Sequence, residues 1–312
     1  VDSDLAPGAQ RLCAAAPAKI NFGLRLVGLR PDGYHEIESI FLPLDLADGL
    51  RLDVCRDAEP RVTLAVEHEA GTPGVDVPSD DRNLAARAAR AFVESARLAT
   101  AVDIRLAKRI PAAAGLGGGS SDAGAVLRTL AAAFPDALRP DAVARLARRL
   151  GADVPFFLDP RPALVTGVGE RVEPLTRWPA LALVLVNPGV PLPTAEVYRA
   201  ADVLLPALTP PDAPSTLRAR LEVVGSVAWD RPDALAPLLE NALEPAAVRL
   251  CPPVARLRER LRKVGALAVG MSGSGPTVFG VFRDVRQART ALERAAFEAP
   301  VWARVALAAE AG

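Results

Sequence analysis

Apolar and polar residues alternate most regularly between Ala18 and Gly28, where Ile20, Phe22, Leu24 and Leu26 are separated by Lys19, Asn21, Gly23 and Arg25. A period of two predicts a half-buried strand with Lys19 and Asn21 on one polar face. VTLAV at 62–66 and the set Val102, Ile104 and Leu106 predict further strands. Between them, in 83–98, the spacing lengthens: Leu84, Ala88, Phe92 and Ala96 form one helical stripe. Ala123, Val126, Leu127, Leu130, Ala131 and Phe134 form another, and 140–151 reads as a third helix with basic residues near its end and glycine just beyond. GADVPFFL at 151–158 then predicts a tight turn into a buried segment, which holds Asp153 rigidly. Apolar runs at 181–186 and 278–282 predict late strands, the second following a glycine-serine turn at Ser272 to Gly275. Strands mixed with helices make the expected class α+β. The 312 residues exceed one small core, and at about 150 residues per domain they predict two domains, 1–160 and 161–312, with a cleft between them.

Composition narrows the partners. Lys plus Arg and Asp plus Glu both number 37, so nothing in the bulk charge draws the chain toward nucleic acid, and no aromatic-basic stripe marks an RNA-binding surface. Cys13, Cys55 and Cys251 are odd in number, widely separated and outside any CxxC pattern, which fits a reducing cytoplasm better than a disulfide or zinc framework. No apolar run approaches the roughly 18 residues of a membrane span, and VDSDLAPGAQ lacks a basic segment followed by an apolar one, so neither insertion nor export is expected. A monomer and a homodimer are equally compatible with these features.

The chemistry concentrates in PAAAGLGGGSS: Pro111, Ala112, Ala113, Ala114, Gly115, Leu116, Gly117, Gly118, Gly119, Ser120 and Ser121. A glycine loop running into a helix lets backbone N–H groups approach an anion where the helix dipole is positive. A serine-capped turn is the plainer alternative. The loop is not GxxxxGK[ST], and it does not match GxGxxG with an acidic residue about 20 positions on, so neither common nucleotide motif explains it. Alanine tolerates positive φ poorly, so Ala112 to Ala114 should be extended, with close approach to phosphate beginning at Gly115. Lys19 by itself also reads as a solvated strand residue, and Asp153 as a turn or capping residue.

PAKINFGLRLVGLRPDGYHEI, PAAAGLGGGSSDAG and MSGSGPTVF, in this order, resemble the three signature motifs of the GHMP small-molecule kinases. The resemblance runs from about Arg11 to about Phe282 and implies the two-domain GHMP kinase fold, with the active site in the interdomain cleft. It implies ATP as co-substrate, held along 111–121, and phosphoryl transfer to an alcohol. Lys19 and Asp153 match the catalytic pair, the carboxylate accepting the hydroxyl proton and the ammonium stabilising developing charge. Mg²⁺ is expected because it neutralises β- and γ-phosphate charge, with Ser121 as candidate ligand beside its reading as a helix cap. PDGYHE and GADVPFF, with NPGVPLPT, narrow the resemblance to members whose small-molecule acceptor is cytidine diphosphate methylerythritol. That places Tyr34 and His35 at the cytidine end, Tyr198 as a stacking aromatic, and Asn21 and Thr194 as further substrate contacts. The competing readings are a homoserine or mevalonate-type kinase and a catalytically idle nucleotide-binding regulator, the latter opposed by the intact Lys19 and Asp153.

Overall fold

The computed structural model describes residues 8–56, 59–73, 77–204, 216–225, 235–236 and 238–311. The proline-rich connector at 205–216 lies almost wholly outside them. Two long strands dominate: β1 (Ala9–Leu29) and β2 (His35–Arg56) pair antiparallel along nearly their whole length. Gly33, at φ +82°, turns the chain between them, and Asp32 Oδ1 accepts from the Tyr34 amide.

The other edge of β2 is shared out. Its end pairs with β4 (Thr100–Lys108), which carries parallel β3 (Arg61–His68), and its start pairs with β5 (Ala163–Gly167), which carries β6 (Arg171–Pro174). Residues just past 160 therefore belong to the first sheet, beyond the boundary expected from chain length. At the middle of β2 a single pairing, Leu44 with Ala308, joins β10 (Trp302–Ala308). Through β10 the order continues to β7 (Leu181–Asn187), β9 (Val278–Phe282) and β8 (Ala268–Met271). The chain's last strand thus stitches the two sheets together.

Helices cover the sheets as the periodicities require. α1 (Leu84–Ala96), α2 (Gly118–Ala133) and α3 (Pro140–Leu150) close a core over the first sheet with Phe92, Val126, Leu127 and Leu130 fully buried. The α1 stripe is rotated slightly from expectation: Ala85, Ala89 and Val93 are buried with Ala88 and Phe92, while Leu84 and Ala96 are half-buried. Asn83 caps α1 by accepting from the Ala85 amide, which sets where it begins. Over the second sheet lie α4 (Thr194–Leu204), α6 (Glu244–Leu250), α7 (Pro253–Lys263) and α8 (Val285–Ala295), with α5 (Leu217–Gly225) at the junction. No helix among the described residues is long and apolar enough to cross a membrane.

One strand departs from its pattern. β1 is buried on both faces from Ala18 to Leu26, Lys19 and Asn21 included. The polar face is roofed by the glycine loop, whose Leu116 carbonyl accepts from the Lys19 amide at 3.0 Å. Alternation reported the strand correctly but could not report the roof.

Candidate active site

A cleft of about 880 Å³ runs along this roof. Lys19, Asn21, Tyr34, His35, Asp153, Thr194 and Tyr198, separated by up to 179 positions, all line it (19 to 198). So do Pro111 to Gly115 and Gly117 to Ser120, while Leu116 and Ser121 are buried beneath.

The glycine loop is held tightly. Gly115 sits at φ +75°, and a Cβ there would lie 2.2 Å from the Ser272 carbonyl oxygen. Only glycine fits so close to the opposing Ser272 to Gly275 turn. Ser272 also donates to the Gly115 carbonyl at 2.8 Å and accepts from the Asn21 amide at 3.1 Å, locking loop, turn and strand together. α2 begins earlier than expected: Gly117 is its cap at φ +72°, and the first intrahelical bond runs from the Ser121 amide to Gly117 O at 2.9 Å. The amides at the helix mouth are therefore those of Gly118, Gly119 and Ser120, residues that line the cleft and whose N–H groups begin the helix without intrahelical partners.

Two expectations for this loop are corrected. Ala113 adopts φ +50°, a left-handed conformation, so the tight path starts two residues before Gly115. The lead-in is a turn, because the chain must leave β4 and double back over β1 within a few residues. Ser121 is completely buried and off the cleft lining, and its hydroxyl has no hydrogen-bond partner. That position does not fit a ligand to a metal riding on bound phosphates. No cluster of His, Cys, Asp and Glu suited to a metal occurs among the described residues.

Lys19 and Asp153 face each other across the cleft floor. Asp153 directly precedes a short 3₁₀ turn at Val154–Leu158, with Phe156 and Phe157 anchored in the core. Its carboxylate lies 3.4 Å from Lys19 Nζ, with the Asp153 side chain 29% and the Lys19 side chain 4% exposed. Lys19 Nζ also donates to Asn21 Oδ1 at 2.5 Å and sits 4.4 Å from the Phe41 ring centroid. Burial pulls the Lys19 ammonium below its ordinary range, and the Asp153 charge pulls back up. The arrangement places an ion pair with a half-open carboxylate in the same cleft as the mouth of α2.

The other end of the cleft is aromatic. Tyr34 stands out, 63% exposed, while Tyr198 is packed and its ring lies 5.2 Å from that of His35. Burial, with the nearby Asp153 charge, pushes the Tyr198 phenol up. His35 Nε2 meets Asp202 Oδ1 at 2.7 Å, and Thr194 shares a 2.9 Å hydroxyl contact with Ser274.

Several lining residues escaped sequence reading. Lys108 is buried between Asp48 and Asp122, donating to both, at 2.7 Å to Asp122. Asp48 Oδ1 also accepts from the amides of Arg109 and Ile110, at 2.5 and 2.9 Å. Burial, reinforced by the neighbouring Asp48 charge and opposed by the Lys108 ammonium, pushes Asp122 up to about 7. Lys108 continues the 102, 104, 106 face of β4, so strand alternation did signal its burial. Asp202 carried a weaker signal, one helical turn beyond Tyr198.

Profiles of the GHMP kinases N terminal domain and the GHMP kinases C terminal match residues 83–159 and 229–299. The chain is 42% identical over 283 residues to a 4-diphosphocytidyl-2-C-methyl-D-erythritol kinase of Pelotomaculum thermopropionicum, covering 91% of this chain and 93% of that one. A crystal structure of 4-(cytidine 5′-diphospho)-2C-methyl-D-erythritol kinase superposes with TM-score 0.74 at 39% identity, covering 96% of this chain and 100% of the other. A homoserine kinase from Cytophaga hutchinsonii also superposes, with TM-score 0.69 but 15% identity, covering 99% and 97%, a likeness of fold alone.

Proposed function

The chain belongs to the 4-diphosphocytidyl-2-C-methyl-D-erythritol kinases of the GHMP family, and on that footing we propose how its cleft divides the work of phosphoryl transfer. It transfers the γ-phosphoryl group of ATP to the 2-hydroxyl of 4-(cytidine 5′-diphospho)-2-C-methyl-D-erythritol, a step in making isoprenoid precursors. The observation that carries the assignment of parts is the Lys19–Asp153 pair at 3.4 Å, set beside the mouth of α2.

Phosphoryl transfer asks a protein chiefly for positioning and charge stabilisation, with a base for the hydroxyl proton. The amides of Gly118, Gly119 and Ser120, aided by the helix dipole, hold the ATP phosphates. Asp153, the more open partner, takes the proton as the acceptor oxygen attacks. Lys19, dry and held by Asn21, keeps that carboxylate ionised and stabilises charge developing between oxygen and phosphorus. His35, Tyr34 and Tyr198 take the cytosine, and Thr194 contacts the substrate between the two ends. Mg²⁺ bound with ATP would neutralise charge on its phosphates. Ser121 is not assigned to it. Three free, widely separated cysteines support a cytoplasmic setting.

A substrate panel tests the reading. With MgATP, the purified protein should release ADP on adding the cytidine diphosphate acceptor and stay near background with homoserine or mevalonate. Turnover of either of those without turnover of the cytidine compound would overturn it.

A further inference from the structure

We infer that Ser39, which does not line the cleft, is a positioning residue for the reaction: its hydroxyl sets which way the Asn21 carboxamide faces, and so aims the Lys19 ammonium. This rests on the reading that Lys19 serves phosphoryl transfer.

The device begins with an irregularity in the backbone. β1 and β2 slip register between Asn21 and Leu24. Gly23 occupies the slip at φ +89°, where a Cβ would come within 2.2 Å of the Leu238 carbonyl oxygen, so no larger residue fits. The Gly23 carbonyl meets Ser39 Oγ from the neighbouring strand at 2.6 Å.

Hydrogen-bond polarity then propagates from that carbonyl. A carbonyl only accepts, so the single Ser39 proton goes to it. Ser39 Oγ is left as an acceptor, and the Asn21 group 2.9 Å away must donate. That group is therefore Nδ2, and the amide oxygen faces the other way. There it accepts from Lys19 Nζ at 2.5 Å, leaving the ammonium's remaining protons toward Asp153. An amide's two ends are ordinarily interchangeable, and here the serine hydroxyl, as acceptor, holds the end that the donor-only ammonium also requires.

Burial makes the decision costly to undo. Ser39 is 0% and Asn21 2% exposed, so no bulk water replaces a lost partner. Without the hydroxyl, Asn21 Nδ2 either stays unsatisfied or turns its N–H groups against the ammonium. Both outcomes loosen the placement of Lys19.

The test compares Ser39→Thr with Ser39→Val, near-isosteres that differ by a hydroxyl, each on wild-type and Asn21→Ala backgrounds. Ser39→Val should lower kcat roughly tenfold, the cost of one buried unsatisfied donor. Both KM values should stay within about twofold, because the change acts on the chemical step. Ser39→Thr should keep most of the wild-type kcat. On the Asn21→Ala background the two should be indistinguishable, since the path through the amide is already cut. A merely structural serine would instead lower Tm with kcat intact, or show the same loss on both backgrounds. Either result overturns the inference, as does an equal kcat loss for Thr and Val. Where Ser39→Val fails to fold, Ser39→Ala carries the same comparison. Unimpaired turnover in Lys19→Ala would be a different failure, that of the catalytic assignment itself.

Discussion

Two lysines flank the glycine loop, each facing carboxylate, and they are built for opposite ends. Lys108 is enclosed: Asp48 and Asp122 both accept from it, and all three side chains are at most 4% exposed. Lys19 has one carboxylate, at 3.4 Å, on a side chain that is 29% exposed. The first group ties the end of β4 to α2 and, through Asp48, pins the Arg109 and Ile110 amides at the start of the loop. The second keeps unused hydrogen-bonding capacity pointed into the cleft. A charged group enclosed among buried partners contributes chiefly geometry, and one whose carboxylate stands open to the cleft is available to a substrate.

The sharpest way to break this contrast is to neutralise the open pair. Asp153→Asn should lower kcat by about 10³-fold or more, the range for removing a general base. Lys19→Met should do similar damage while leaving Tm unchanged or slightly raised, because a desolvated ammonium costs the fold stability. Steady-state kinetics beside thermal melts check both. Near-normal turnover in either variant would remove the distinction.

Lys108→Met should do the reverse and act first on stability. It strands two buried carboxylates, and breaking a buried ionic group by removing one partner costs about 3–5 kcal/mol. A large drop in Tm is expected. Adding Asp48→Asn and Asp122→Asn to Lys108→Met should recover much of it, because no unpaired charge then remains. If Lys108→Met melts with the wild type while Lys19→Met collapses, the roles have been assigned the wrong way round.

Much of the open group was legible in the amino-acid sequence, and little of the closed one. Lys19 stands in an alternating strand and Asp153 follows a helix-ending glycine, but local pattern alone marked them only as a solvated strand residue and a turn residue, and the motif set picked out both and their pairing. Asp48 sits 60 positions from Lys108, and that contact depends on the β2–β4 register, which no local pattern encodes. Ser39 was hidden for a related reason. Its role follows from a register slip on the neighbouring strand, and a serine in an apolar run carries no mark of it. The two-sheet architecture was readable as α+β, but the stitch by β10 depends on a single long-range pairing at Leu44.

The smallest expected effect concerns the path between the two lysines. Ala113, at φ +50°, carries the chain from the Lys108 clasp onto the roof over Lys19, in a conformation that costs an alanine roughly 1–2 kcal/mol. Ala113→Gly removes that strain but adds backbone freedom to the unfolded chain, a loss of about 0.4–1 kcal/mol. The balance predicts a gain of about 1 kcal/mol or less, read as a small rise in Tm. Because neither lysine moves, kcat should be unchanged. A fall in kcat with a rise in Tm would show that the strained alanine itself holds the loop in its working shape, and that the closed and open groups communicate through it.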